Sequence, residues 1–294
     1  MSKPKVFFTK TLTPERIVDI FKCLNKELPG KIAVKVHSGE EGNQNYLKPS
    51  FLKPIVDYVK GTVVECNTAY GGLRNSTIAH RKLIKDHGWE KLFTFDLLDA
   101  TYPDLKLEIP NGKVIKETYV GKHIENYDSA LVVSHFKGHP MGGYGGALKQ
   151  LSIGFGSIDG KSIIHSAGKY KSQYKIWNDL PAQDLFLESM ADAASAIVKY
   201  FNGNMAFINL MCNMSVDCDC CAVAEDPCLK DIGILASLDP VAIDQACIDL
   251  VKKSDDPGKE HFLERVNSRN GEHTIYSAEE LGIGVRDYEL ISID

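Results

Sequence analysis

The chain has 294 residues, 44% hydrophobic and 25% charged, with a formal net charge of −5. That balance is ordinary for a globular protein with a large core, and it excludes disordered, collagenous and polybasic chains. Broad binding to nucleic acid or to an anionic membrane is disfavoured, because neutralising phosphates needs a basic face.

No run approaches the roughly 20 apolar residues that span a bilayer. The N-terminal stretch carries no apolar segment long enough for a signal peptide, so a cytoplasmic location is expected. In chain order, residues 13–28 (TPERIVDIFKCLNKEL) show helical apolar spacing, and residues 31–37 (KIAVKVH) read as a strand. A polar loop then leads to a helix at 50–60, a strand at 62–67, a helix at 76–88 and a strand at 91–98. This alternation predicts a mainly parallel sheet covered by helices.

Residues 105–121 break the rhythm, since two alternating runs flank Asn111 and Gly112, a hairpin signal. Residues 130–136 (ALVVSHF) resume the buried-strand pattern, and a long helix at 185–201 feeds a strand at 205–211. A strand at 231–237, a helix at 239–251 capped by Asp239, a short helical segment at 277–283 and a last extended run at 288–293 follow. The expected architecture is one α/β unit, with a mainly parallel or mixed sheet, helices on both faces and an antiparallel hairpin. It leaves room for two lobes meeting near residue 125.

Sites in such sheets gather where strands end and loops enter the next helix. The richest strand end is SHFKGHPMGGYGGALK. Gly142, Gly143, Gly145 and Gly146 free the backbone to approach a ligand, and N–H groups entering a helix can hold an anion. His135, Lys137, His139 and Lys149 add cationic or titratable groups, so a small phosphate or carboxylate ligand is expected. The spacing is neither a Walker loop nor a dinucleotide fingerprint.

Eight cysteines in a reducing compartment do not suggest a disulfide framework. Cys23, Cys66, Cys212 and Cys247 lie in apolar patterns, as small core side chains do. Cys218, Cys220, Cys221 and Cys228 fall within eleven residues, interleaved with Asp217, Asp219, Glu225 and Asp226. Thiolates are soft ligands for zinc or iron. The spacing C-x-C-C-x6-C is neither a paired zinc motif nor a ferredoxin run, so two or three ligands are expected rather than four. A metal-free loop with buried thiols, or a cysteine nucleophile or redox pair, are the alternatives.

SHFKGHPMGGYGGALKQLSIGFGSIDGK followed by His165, and DCDCCAVAEDPCLKDIGILASLDPVAIDQACIDLV, resemble the signature blocks of domain of unknown function family 362, often labelled uncharacterised iron-sulfur centre proteins. KVHSGEEGNQNYLKP, NTAYGGLRNSTIAH and HGW fit as well, so the resemblance runs from about Lys31 to Ile291. Many members carry an inserted two-cluster ferredoxin module. Here Lys169 to Met211 contain no cysteine. The iron-sulfur label therefore does not transfer through that module, and a separate ferredoxin would be the partner of an electron-transfer role.

The resemblance marks Asp217, Cys218, Asp219 and Cys220 as the metal block and leaves Cys221 and Cys228 outside it. The other matched polar positions suggest a composite site. In it His135, Lys137 and His139 are catalytic candidates, and Lys35, His37, Glu40, Arg74, Lys149, His165 and Lys169 join the glycines as ligand-binding candidates. His80, Asp226, Asp239 and Asp244 accompany them, although Asp239 reads most simply as a helix cap. His87 is expected on the surface; His123, His261 and His273 receive no role; Trp89 and Trp177 are expected to be packing anchors.

The expected function is metal or iron-sulfur binding beside an anionic small-molecule site, as a redox or metal-dependent enzyme. The competing classes are a non-catalytic metal or cofactor carrier or electron-transfer partner, and a metal-free cysteine-dependent hydrolase or transferase.

Overall fold

In the computed structural model, which describes residues 3–294, β1 (Lys5–Thr9) and α1 (Pro14–Cys23) open the chain. β2 (Ile32–Lys35), α2 (Pro49–Val59), β3 (Thr62–Glu65), α3 (Thr77–Asp86) and β4 (Phe95–Leu97) then alternate as the periodicity predicts. The hairpin β5 (Leu105–Glu108) and β6 (Glu117–Val120) precedes β7 (Ser129–His135). A short ribbon, β8 (Lys137–His139) with β9 (Gly143–Gly145), leads into α4 (Ala147–Lys149), prolonged by a wider helical turn over Gln150–Gly154. α5 (Ile158–His165), α6 (Gln173–Ile176), α7 (Gln183–Phe201), β10 (Met205–Met211) and β11 (Gly233–Ser237) follow. The chain ends with α8 (Pro240–Lys253), α9 (Lys259–Ser268), α10 (His273–Glu280) and β12 (Glu289–Ser292).

Eight strands form one sheet in the order β12-β1-β11-β10-β7-β2-β3-β4. Only β11 runs against the others, pairing antiparallel with both β1 and β10. The class is α/β with a mixed, mainly parallel sheet, as expected. Side chains alternate across the sheet as a two-residue period requires. In β7, Ala130 and Val132 face the core under α4, α7 and α8, whereas Leu131 and Val133 face the core under α1 and α2. α7 is apolar on two sides: Ala191, Ala194 and Ile197 meet the sheet, while Phe186, Leu187 and Met190 meet α5 and the hairpin.

The hairpin differs from its predicted form. Leu105 pairs with Val120 and Glu108 with Glu117, so the turn closed by Gly112 N–H on Ile109 O at 2.9 Å lies within an eight-residue loop instead of joining the strands directly. The buried Asp192 of α7 explains the length, because its carboxylate accepts the N–H groups of Lys113, Val114 and Ile115 at 2.7–2.9 Å. β1, α5 and α9 escaped the periodicity reading. The first is a short strand beside Pro4, and α9 buries only Phe262 and Val266. Asp239 does cap α8, accepting from Val241 and Ala242 at 2.8 Å, a contact worth about 1 kcal/mol.

The topology places the site. From β2 the chain winds outward through β3 and β4, whereas β7 and β10 lie on the other side of β2. The winding direction reverses between β2 and β7, which opens a crevice at their carboxyl ends. Because β11 returns antiparallel to β10, residues 212–232 cross that same edge. Among the described residues, no helix is long and apolar enough to cross a membrane.

Candidate metal and anion site

A cleft of about 280 Å³ occupies this crevice. Lys35 and His37 reach it from the end of β2, Glu65 from β3, His135 from β7, and Lys137 and His139 from β8. Lys149 of α4, Lys161 and His165 of α5, Arg74, and Cys220 of the cysteine loop complete its polar wall. Gly138 allows the loop to lie this close: its N–H donates to Ser215 O at 2.8 Å, and a Cβ there would stand 2.3 Å from Val216 O.

The loop is anchored by Asp219. Its buried carboxylate accepts from His135 Nδ1 at 2.9 Å and Lys137 Nζ at 2.8 Å, while Glu40 N–H donates to its carbonyl at 2.8 Å. Burial would raise this carboxyl, but His135 and Lys137 hold it far below the usual aspartate value. His135 Nε2 donates in turn to Cys212 O at 2.6 Å. Neither nitrogen of His135 is left to take a proton from a ligand, and neither oxygen of Asp219 is free for a metal. Asp217, also marked for the metal block, pairs with Arg265 at 3.2 Å and lies off the cleft wall.

The sulfurs are placed differently. A turn closed by Cys221 N–H on Cys218 O brings Cys218 and Cys220 together beneath His139. One donor atom from each of these three residues lies within 4.8 Å of the others, so the group could hold a metal ion. Lys149 Nζ donates to Cys218 Sγ at 3.2 Å, and Cys220 N–H does so at 3.4 Å. Burial acts to raise the Cys218 thiol, but hydrogen bonding from Cys220 and the charges of Lys149 and Lys137 bring it well below the ordinary thiol value. Hydrogen bonding to Cys218 and Cys221 moves its partner Cys220 well above that value.

The histidine tautomers are legible from their contacts. His139 Nδ1 accepts the N–H of Gly142 at 2.8 Å and of Met141 at 3.2 Å, so Nε2 carries the proton and faces the sulfurs. His37 repeats the arrangement, with Nδ1 accepting from Gly39 N–H at 3.1 Å. His165 is the reverse: Nδ1 donates to Lys161 O at 2.7 Å, which leaves Nε2 unprotonated. Burial lowers all three to about 4, with Arg74 adding to the effect at His37 and Lys149 at His139.

At the opposite wall, Arg74 binds Glu40 and Glu65, each at 3.3 Å, and Lys35 Nζ lies 3.8 Å from Glu65. Burial acts to raise Glu65, but Lys35 and Arg74 hold it well below the usual carboxylate range. Burial lowers Lys35 despite Glu65 beside it. His80 lies behind this pair, bonded to Ser38 and Asn67.

The glycine segment does not form the expected anion cradle. Gly143 and Gly145 pair with His139 and Lys137 in the β8–β9 ribbon, and neither Gly142 nor Gly143 lines the cleft. The N–H groups of Ala147 and Leu148 do hold an anion, but it is the protein's own Asp244, at 2.8 and 2.9 Å. Gly146 is needed there, since a Cβ would stand 2.4 Å from Asp244 Oδ1.

Lys169 is half exposed and paired with Asp179 at 3.1 Å, away from the cleft wall. Asp226 is exposed, and Cys23 is half-buried at the end of α1 instead of in the core. Trp89 is a buried anchor, but Trp177 stands at the cleft wall and donates to Ala69 O. His87 is tucked against Tyr46, while His123, His261 and His273 each pair with a carboxylate outside the cleft. Sequence reasoning missed Lys161, Glu65 and Trp177. Lys161 and His165 share one face of α5 at i,i+4, and that spacing was the available signal.

Two solved structures are similar to this chain at low identity. The lactate racemase apoprotein from Thermoanaerobacterium thermosaccharolyticum matches at 14% identity and a TM-score of 0.42, over 69% of this chain and 50% of its own. A structural-genomics protein from Thermotoga maritima matches at 12% identity and a TM-score of 0.45, over 93% of this chain and 60% of its own. The chain thus spans half to three-fifths of the length of those proteins. No curated protein matches it. Residues 32–249, which run from β2 into α8 and include the strand ends, glycine segment and cysteine loop of the cleft, match one family throughout, and the chain belongs to that family, described as domain of unknown function (DUF362).

Proposed function

We propose that Cys218 and Cys220 hold a soft transition-metal ion in the cleft, and that the protein is an enzyme acting on a small oxyanion-bearing molecule bound beside them. The observation that carries this reading is the convergence of two sulfurs and an imidazole within 4.8 Å inside a cleft at the carboxyl edge of the sheet, with the Lys149 ammonium 3.2 Å from one of the sulfurs. A buried donor set favours substrate chemistry over the alternative of a docking electron carrier, which would need its metal near a flat apolar surface.

The donor chemistry fits a metal at the two sulfurs. With Nδ1 taken up by backbone N–H groups, His139 is built to donate to sulfur, as Lys149 does, and both offset thiolate charge. Such an ion would supply Lewis acidity if zinc, or electron transfer if iron. The chain's own groups supply the rest: cations orient the anion, and His165 Nε2, unprotonated and on the wall, can accept a proton. His135 is a positioning group for Asp219. Eight free thiols suit a reducing compartment.

The test is elemental analysis and an absorption spectrum on untagged protein purified without oxygen, beside the double variant Cys218→Ser, Cys220→Ser. Stoichiometric metal in the wild type and none in the folded double variant is expected. Equal metal in both would overturn the assignment. A second reading, metal-free chemistry on the Cys218 thiolate, is favoured by the tautomer of His139 and the contact with Lys149. It calls for selective alkylation of Cys218 near neutral pH with no effect of chelators.

A further inference from the structure

We propose that Lys161, the last residue of the glycine-containing block and not one of the candidate site residues read from the sequence, is the anchor for the ligand's oxyanion, a carboxylate or a phosphate. The inference rests on the reading of the cleft as a site for a small oxyanion-bearing molecule and adds the residue that holds the oxyanion.

Every other cation on the wall already has an anion in contact. Arg74 has Glu40 and Glu65, Lys35 has Glu65, Lys137 has Asp219, and Lys149 has the Cys218 sulfur. Lys161 alone has none. It is 5% exposed, its Nζ donates only to Gly156 O, and among the described residues no carboxylate comes within 4.0 Å of it. Asp99, the acid whose charge it feels, is occupied by Asn67 N–H at 2.9 Å.

A buried ammonium with two unused donors and no counter-charge is an unfavourable arrangement that an incoming oxyanion relieves. A second buried polar atom on the same wall, Thr68 Oγ1, has no hydrogen-bond partner. Lys161 and His165 lie one turn apart on α5, so an oxyanion at Lys161 sits next to an unprotonated imidazole nitrogen. The rest of the wall includes Met141, Ile153, Ala69 and Trp177, which suits a short apolar body. The cleft volume, about 280 Å³, limits the ligand to a small molecule.

Inorganic phosphate and benzoate serve as separate probes on the full chain, read by thermal unfolding and by Trp fluorescence. Only two tryptophans are present, and Trp177 is the one on the wall. At least one probe is expected to raise the unfolding temperature and change the emission. Lys161→Met should weaken that binding about tenfold or more, and Lys161→Arg should largely keep it. Lys161→Met keeps the apolar stem and removes a buried charge, so it should fold; if it does not, Lys161→Gln takes its place.

A response to phosphate alone assigns a phosphoryl ligand, to benzoate alone a carboxylic acid, and to both a general oxyanion site. Wild-type protein that binds neither probe, or a Lys161→Met variant that binds as tightly as wild type, overturns the proposal. Metal content measured on the same samples keeps the two readings separable, because loss of anion binding at Lys161 should leave metal at Cys218 and Cys220 unchanged.

Discussion

Two buried carboxylates hold the two loops of the cleft, and they do so in opposite ways. Asp219 fastens the cysteine loop to the Lys137 ammonium and to His135 Nδ1. Asp244 fastens the start of α4 with neutral donors only: the N–H groups of Ala147 and Leu148, Asn209 Nδ2 and Tyr144 OH. Charge partners overcome burial at Asp219 and hold its carboxyl down. At Asp244 dipoles do not suffice, and burial pushes it up to about 6. The sulfur side is thus locked by ionisation, whereas the glycine side is locked by hydrogen bonds that survive protonation.

The largest effect expected from breaking this contrast is at Asp219. Asp219→Ala strands Lys137 and His135 without a counter-charge in a buried setting, which should destabilise the fold by about 3–5 kcal/mol in urea unfolding. A loss below about 1 kcal/mol would mean that water reaches the pair and the lock is not ionic. The folded state holds the Asp219 proton less tightly than the unfolded chain does. Its contribution is therefore complete above the ordinary aspartate value of about 4 and is lost as pH falls below it. Asp219→Asn should flatten that acid limb.

Asp244 carries the opposite sign. Its proton is held more tightly in the folded state, so its contribution is fullest below about pH 4 and declines as pH rises through about 6. A displacement of roughly two pH units corresponds to about 2–3 kcal/mol. The wild type minus Asp244→Asn difference, measured by urea unfolding from pH 4 to 7.5, should shift against the wild type by about that amount. A flat difference across this range would show that Asp244 keeps an ordinary affinity for its proton, and the contrast with Asp219 would fail.

The same contrast explains what could be read in the sequence. The buried runs ALVVSHF and MAFINLM name their strands because a parallel strand covered on both faces must be apolar throughout. The rule that ligands sit at strand ends pointed to His135, Lys137, His139 and Lys149, the family resemblance added Lys35, His37, Arg74 and His165, and the fold brings all eight to one cleft. What the sequence does not carry is which charges cancel. Lys137 and Asp219 are 82 residues apart, and Lys35 and Glu65 meet across neighbouring strands. The sequence groups Asp217, Cys218, Asp219 and Cys220 into one metal block, but a turn sends the carboxylates and the sulfurs to different surroundings, and four letters do not fix a turn. Lys161 received no role, because beyond its spacing from His165 nothing in the sequence sets it apart from other lysines. It is buried because α5 packs under β6 so closely that a Cβ on Gly160 would stand 1.9 Å from Tyr119 O.

The smallest expected effect is at Lys169, the cation that the family motif marks and the fold leaves outside. Its ammonium is half exposed and shares Asp179 with Tyr170 OH, so water screens the pair and its contribution to stability should be small. Lys169→Met is expected to leave the unfolding midpoint and the response to phosphate or benzoate essentially unchanged. Lys161→Met should abolish that response with little loss of stability. If Lys169→Met also abolished it, the segment carrying α6 would have to fold over the cleft when an anion binds, and Lys169 would exchange Asp179 for the ligand. Salt distinguishes the two cases: an exposed lysine recruited to the ligand would be screened strongly between low and physiological ionic strength, whereas a buried anchor at Lys161 would be screened far less.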